Sequence, residues 1–197
     1  PGPVYTVAAV GVELRTPAGE GTPGRPDDSV LGIGLGDTAT AARMRGAAGR
    51  LEKHLRGEAY AFAAVKRPVA RLDHEARTVE VALAVDVGPR ASFGRTTVEG
   101  LVDIREGFVR GKIPWQVGER YDPGKVDDLR KRLVETGLFS VVRLTKAVEE
   151  PQVRVPMRLK LTEAAPRTVA TGVGYETDTG PGARVSWEHR NLGGWGE

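Results

Sequence analysis

The sequence predicts an α+β protein made of two consecutive modules of one pattern, strand-helix-helix-strand-strand, followed by the first two strands of a transmembrane β-barrel. Three observations predict it. Two stretches of roughly 80 residues, a period long enough to hold one supersecondary unit, carry the same order of signals. Each begins after a Gly-Pro pair, Gly2-Pro3 and Gly88-Pro89, and each reaches an apolar-Gly-acid triplet, Leu35-Gly36-Asp37 and Val117-Gly118-Glu119, ahead of an amphipathic helix. From Val169 onward the pattern changes to strict alternation of apolar with small or charged residues.

The first module opens with a strand-like segment from Val4 to Leu14. Residues 15 to 28 hold three prolines and three glycines and read as an inserted flexible loop, which leaves the first helix short or degenerate. Met44, Ala48, Leu51 and Leu55 then form a helical stripe, with Asp37 or Thr38 as its cap and Gly57 as its terminator. Ala61 to Leu72 and Thr78 to Val87 read as a hairpin around Asp73-His74-Glu75.

The second module repeats this with a strand over Arg90 to Val98 and a capping box at Asp103-Ile104-Arg105-Glu106, with Ile104, Phe108 and Val109 behind it. Its long helix has Asp122 as cap, Pro123 in the first turn and Gly137 just past the end. Val126, Leu129, Leu133 and Val134 recur on one face, while Asp127–Lys131 and Asp128–Arg132 sit four apart on the other. Leu138 to Leu144 and Val153 to Leu161 close the module as a hairpin. Each module therefore predicts a three-stranded sheet with two helices on one face. The boundaries follow as 1–88, with the insertion at 15–28, then 89–165, then a truncated barrel hairpin over 166–197.

In that hairpin Val169, Thr171, Val173 and Tyr175 alternate with Ala170, Gly172, Gly174 and Glu176. After a turn at Asp178-Thr179-Gly180-Pro181-Gly182, Ala183, Val185 and Trp187 alternate with Arg184, Ser186 and Glu188. Strands of about 9 to 11 residues have the length a tilted membrane strand needs. Val169, Thr171, Gly172, Val173, Gly174 and Tyr175 are thus the expected first barrel strand, with Val185 and Trp187 on the second, and Trp187 and Trp195 suit a membrane interface.

Composition removes several classes of function. The 29 Lys and Arg nearly balance 26 Asp and Glu, a net charge of +3 that gives no electrostatic case for nucleic acid. No cysteine is present, which excludes disulfides, a thiol nucleophile and any zinc site that needs sulfur. The apolar run Ala59 to Val65 spans seven residues, far short of the ~18 of a spanning helix. The opening Pro1-Gly2-Pro3-Val4 has no leader-like region and reads as an excised piece.

The chemistry-bearing motifs take ordinary readings. Gly32-Ile33-Gly34-Leu35-Gly36 follows Asp27-Asp28-Ser29 rather than a strand and lacks a Gly-Lys-Ser/Thr, so it reads as a turn, not a phosphate loop. His54, His74 and His189 lack the spacing of a metal site, and Ser186 and His189 face opposite sides of a strand. Arg130, Lys131 and Arg132 share their helix with Asp127, Asp128 and Glu135 and read as a self-paired face. Trp115 is left open. No catalytic residue, cofactor site or metal site is expected, and the chain is read as non-enzymatic.

Two runs carry a family resemblance. Arg132-Leu133-Val134-Glu135-Thr136-Gly137-Leu138-Phe139-Ser140-Val141-Val142 resembles the helix end and following strand of a barrel-proximal POTRA domain. Thr171-Gly172-Val173-Gly174-Tyr175-Glu176-Thr177-Asp178-Thr179-Gly180-Pro181 resembles the first barrel strand and turn. Together they resemble the outer-membrane-protein assembly family (POTRA plus β-barrel, surface antigen) in its TamA-like branch, strongly over 89–190 and weakly over 1–87, where the insertion departs from the pattern.

The resemblance implies tandem POTRA domains in the periplasm, a barrel in the outer membrane of a Gram-negative bacterium, and insertion or secretion of β-barrel or autotransporter-type proteins. Its implied partners are unfolded outer-membrane protein substrates, a TamB-like periplasmic or inner-membrane protein, and outer-membrane lipid, with no nucleic acid. A two-partner-secretion transporter and a soluble periplasmic POTRA-containing adaptor are the alternatives. A sheet covered on one face leaves an unpaired strand edge able to accept an extended segment. The expected edge is Leu138, Phe139, Val141, Val142 and Leu144, or its counterpart Ala61 to Val69.

Overall fold

A computed structural model describes residues 4–17, 19, 21–148, 150–165, 167–176 and 180–189, the last two ranges by backbone and register. The element order is β1 (Thr6–Arg15), α1 (Asp28–Leu31), α2 (Ala41–Gly57), β2 (Ala64–Val65), β3 (Val69–Asp73), β4 (Thr78–Asp86), β5 (Ser92–Glu99), α3 (Glu106–Arg110), α4 (Pro123–Glu135), β6 (Phe139–Lys146), β7 (Arg154–Glu163), β8 (Arg167–Glu176) and β9 (Gly180–His189). The repeated strand-helix-helix-strand-strand order is therefore present. By packing, the chain divides into two compact units, Pro1–Gly94 with Gln116–Gly124 and Val148–Val155, and Arg95–Trp115 with Lys125–Ala147 and Pro156–Glu197.

In the first sheet β4 lies at the centre, parallel to β1 on one side and antiparallel to β2 and β3 on the other. Val79, Val81, Leu83 and Val85 of β4 alternate into a core with Val7, Leu31, Ile33, Ala47, Leu51 and Leu55, so α1 and α2 cover one face. The run Ala61 to Val69 is not one strand as expected. Only Ala64–Val65 pairs before a break, because Pro68 has no N–H to give a ladder, and β3 resumes the pairing at Val69. The predicted three strands thus become four.

The α2 cap also differs from expectation. Thr40 fills that role, its hydroxyl accepting the Arg43 N–H at 3.2 Å. Asp37 is occupied elsewhere, accepting the Gly34 N–H at 3.0 Å and pairing with Arg43 at 3.0 Å, while Thr38 forms an antiparallel bridge with Thr6 of β1. Gly57 is the last helical residue rather than the terminator, and the chain reverses at Ala59, a non-glycine with φ of 73°. Of the expected insertion, Arg15 closes β1 and Asp28 opens α1; the described residues between them, 16–17, 19 and 21–27, form no helix or strand, and Pro23 and Pro26 are buried.

The second sheet has the order β5-β7-β6. Met157, Leu159 and Leu161 of β7 are buried, as are Val126, Leu129 and Leu133 of α4. Val134, expected on the same apolar face, is 55% exposed. Asp122 caps α4 through the Gly124 N–H at 2.7 Å, and Gly137 takes the expected left-handed turn at φ 67°. The capping box is absent. Arg105 stands at the N-cap of α3 and makes no capping bond, since a guanidinium has no acceptor, and the Asp103 N–H that the box would use goes to Glu163, as described below. Asp127 pairs with Arg130 at 3.0 Å, one residue earlier than the partner expected.

The third sheet is β8 paired antiparallel with β9. Its register sets Val169 opposite Trp187, Thr171 opposite Val185, Val173 opposite Ala183 and Tyr175 opposite Pro181. Gly180 to Gly182, expected in the turn, belong to β9, with Gly180 paired to Glu176. The rest of that turn, Asp178-Thr179, and Trp195 lie outside the described residues. Among the described residues no helix is long and apolar enough to cross a membrane.

Candidate functional site

The expected strand edge is β6, which pairs with β7 and, among the described residues, with no strand on its other side. A strand with one neighbour leaves alternate backbone N–H and C=O groups without a ladder partner. Val142 stands opposite Leu161, Arg143 opposite Lys160, Leu144 opposite Leu159 and Lys146 opposite Met157. The ladder is regular from Val141 onward, after one register shift between Phe139 and Val141. At that shift the Ser140 hydroxyl donates toward the Thr162 and Glu163 carbonyls at 3.2 and 3.4 Å.

The five expected residues divide by face. Leu138, Phe139 and Leu144 are buried, whereas Val141 is 46% exposed and Val142 lies between. The first three hold β6 onto its own core, and the side chains open to an added partner are Val141, Arg143 and Thr145. Arg143 and Thr145 were missed, although the period-2 alternation of the run Val141 to Thr145 carries the signal.

The far end of β7 is fixed by a carboxylate. Glu163 accepts the N–H of Val102 at 2.8 Å, of Asp103 at 3.1 Å and of Ile104 at 3.0 Å. Gly100, at φ 88°, lets this loop press against β7, where an added Cβ would overlap the Leu161 carbonyl oxygen. Burial raises the Glu163 carboxyl, but the three backbone donors outweigh it and hold the group below its ordinary range. On the other side, the Ala164 N–H donates to the Leu138 carbonyl at 2.7 Å. The end of β7, three residues before β8, is thereby tied both to the loop after β5 and to the start of β6. No local motif marks Glu163 for this role.

The corresponding edge of the first sheet is poorer. The Val65 N–H donates to the Glu52 carboxylate at 3.4 Å, and β2 is two residues long. Beyond the break, β3 offers five residues.

The remaining motifs fall into structural roles. Gly36 donates to the Val7 carbonyl at 2.8 Å, and Arg50 donates to the Leu31 and Gly32 carbonyls at 2.7 and 3.3 Å, so the glycine run is a packed turn. His74 bonds the Tyr5 hydroxyl at 2.7 Å, and His54 lies 3.7 Å from Glu58. Among the described residues no three His, Cys, Asp or Glu side chains group as metal ligands. Trp115 is buried, its Nε1 donating to the Thr96 hydroxyl at 3.2 Å.

No protein-family model matches the chain. Among solved structures it is similar to BamA from Haemophilus ducreyi lacking POTRA domains 1–3, at 20% identity and a TM-score of 0.75, over 98% of this chain and 36% of that one. It is also similar to Haemophilus influenzae BamA POTRA3–5, at 20% identity and a TM-score of 0.64, over 81% of this chain and 61% of that one. The chain therefore spans only part of each protein's length. These likenesses show the fold, tandem α+β POTRA modules running into a further antiparallel hairpin.

Proposed function

We propose that this chain is the barrel-proximal part of a non-enzymatic outer-membrane component that inserts or secretes β-barrel or autotransporter-type proteins. In this reading residues 1–165 lie in the periplasm, and β8 and β9 open a barrel in outer-membrane lipid. Unfolded outer-membrane proteins then dock as an added strand along β6, at Leu138, Phe139, Val141, Val142 and Leu144. The observation that carries the reading is that edge: eight residues of strand with, among the described residues, one ladder neighbour, followed in the chain by that neighbour, β7, and then by a hairpin whose strands are ten residues each. An edge of this kind binds through the main chain and asks little of sequence, which suits a receptor for many unfolded chains. The solved BamA structures, alike in fold, support the same class of role.

The two residue runs quoted above support a TamA-like role with a TamB-like partner, tested by co-purification with that partner. For the edge, Val142→Pro removes a donor from β6 in the full-length protein. Crosslinks from Val141 and Arg143 to a stalled outer-membrane protein should be strong in the parent and lost in the variant. Equal crosslinking in a folded Val142→Pro protein would reject strand addition at β6. For the hairpin, cysteines along Thr168 to Glu176 should react alternately with membrane-confined and aqueous reagents, and uniform aqueous labelling would reject the membrane assignment.

A further inference from the structure

Each sheet has a second outer strand, β1 in the first and β5 in the second, and both meet the same treatment. In β1 both main-chain groups of Val7 are occupied: its N–H donates to the Asp37 carbonyl and its carbonyl accepts from Gly36, each at 2.8 Å. In β5 both groups of Phe93 are occupied by Glu119 and Gly118, each at 2.7 Å. Three residues further along each strand, an arginine reaches the main chain. Arg25 donates to the Val10 carbonyl at 3.1 Å, and Arg110 donates to the Thr96 carbonyl at 3.5 Å, a longer bond beside the one from Trp115 to the Thr96 hydroxyl.

Neither arginine arrives by chance of an extended side chain. Arg25 is held by Asp28 at 2.9 Å, and Arg110 by Glu106 at 2.6 Å. The two come from dissimilar segments, one from the irregular insertion and the other from the last turn of α3. Only Gly11–Arg15 of β1 and Thr97–Glu99 of β5 lie beyond the bridged carbonyls, short of or barely matching the ~5 to 6 residues of an ordinary strand.

We propose that Arg25 and Arg110 close the first-strand edge of each sheet, so that an incoming strand is admitted only on the opposite side. This rests on the strand-addition reading above and gives it a direction. A substrate added at both edges would hold each sheet between two chains and give no single path toward the hairpin, whereas a one-sided sheet presents its partner along β6 alone. The arginines are positioning residues, acting by occupying carbonyls that a strand would otherwise use.

These 197 residues hold no cysteine, so single cysteines placed in them give a direct test in the full-length protein, with any cysteine elsewhere in it replaced by serine. Single cysteines are placed at Ala9 on β1, Arg95 on β5 and Arg143 on β6, all exposed, and offered a synthetic eight-residue strand of alternating Val and Thr carrying one cysteine. Disulfide capture should occur at Arg143→Cys and stay at background at Ala9→Cys and Arg95→Cys. Adding Arg25→Ala to the first and Arg110→Ala to the second should raise capture several-fold, and Arg→Lys, which keeps a donor, should raise it less. Should Arg110→Ala fail to fold, Glu106→Gln, which frees the guanidinium from its holder, should still increase capture at Arg95→Cys. Capture at Ala9→Cys and Arg95→Cys equal to that at Arg143→Cys with the arginines in place would overturn the proposal, as would no gain in the folded arginine variants. Loss of capture at Arg143→Cys alone would sink the strand-addition reading of β6, while a gain in the arginine variants would still support edge closure.

Discussion

The two repeats share a hydrogen-bonded frame and differ in what they leave open. Gly36, Asp37 and Ala39 of the first make the same contacts with Val7 and Tyr5 that Gly118, Glu119 and Tyr121 of the second make with Phe93 and Ala91. The Asp37 and Glu119 carboxylates each accept an N–H three residues back, from Gly34 and Gln116, at 3.0 Å. Thr40 and Asp122 then cap the long helices. Few of these side chains are identical, because the frame is made mostly of main-chain bonds and asks only for a turn-forming glycine and one carboxylate, short in Asp37 and longer in Glu119. The edges are another matter: β6 runs unbroken for eight residues, while its counterpart splits at Lys66-Arg67-Pro68 and loses the Val65 N–H to Glu52. A common frame thus tolerates divergence where the main chain bonds to itself, and the repeats part company where it is free to bond something else.

The comparison breaks most severely if the shared helix is not the shared core. Leu51 and Leu133 follow the caps at the same spacing, and both are fully buried. Truncating either to alanine should cost roughly 2 to 5 kcal/mol in denaturant unfolding of the full-length protein. An effect under about 0.5 kcal/mol at either site, the scale of an ordinary surface change, would place that helix face in solvent. Val134→Ala, one residue on, should fall within that small range, since its side chain is already 55% exposed.

A second contrast lies at the end of the central strands. The buried alternation of Val79, Val81, Leu83 and Val85 continues to Val87, whereas Val155, Met157, Leu159 and Leu161 continue to Glu163. One repeat ends on an apolar contact, the other on a carboxylate with three backbone donors. Glu163→Ala passes the exposed Val102 and Asp103 N–H groups to water and leaves the part-buried Ile104 N–H without its acceptor, which should cost about 1 to 3 kcal/mol at neutral pH, with Glu163→Gln in between because it keeps an acceptor. The sign with pH follows from the lowered carboxyl. The stabilisation is complete above the ordinary glutamate value, ~4.3, and is lost as pH falls through the lower folded value. Unfolding of parent and Glu163→Gln should therefore converge as pH falls below the ordinary glutamate value, and a difference that persists unchanged would assign the effect to packing.

Features written in consecutive residues were legible before the fold was known. The stripe Val126, Leu129, Leu133, the Asp122-Pro123 start and the two Gly-acid triplets each state their structure within a few positions. What stayed hidden depends on partners far along the chain. Asp37 looks as good a cap as Thr40 until Gly34 and Arg43 claim its oxygens. Glu106 completes a capping box on paper, but the N–H groups around Asp103 go to Glu163, some sixty residues away. Of the candidate edge, the strand and its alternation were readable, but which neighbours close the other edges was not, since Arg25 and Arg110 reach carbonyls that no motif marks.

The smallest expected effect tests the equality of the two frames. Gly36 and Gly118 sit at φ of 82° and 90°, and a Cβ built on either meets nothing within 4 Å. Alanine at each site should thus pay only for the left-handed backbone, about 1 to 2 kcal/mol, and the two costs should agree closely because both turns bond the same way to the strand before them. Gly100 calibrates the measurement: its φ is 88°, yet an added Cβ would overlap the Leu161 carbonyl oxygen, so Gly100→Ala should cost clearly more than either. If Gly36→Ala proved harmless while Gly118→Ala did not, the first turn would be able to relax, and the repeats would share a hydrogen-bond pattern without sharing its rigidity. Equal costs at Gly36 and Gly118, both below that at Gly100, would mean that conformation rather than crowding sets the turn in both repeats, leaving the strand edges as the place where their structures separate.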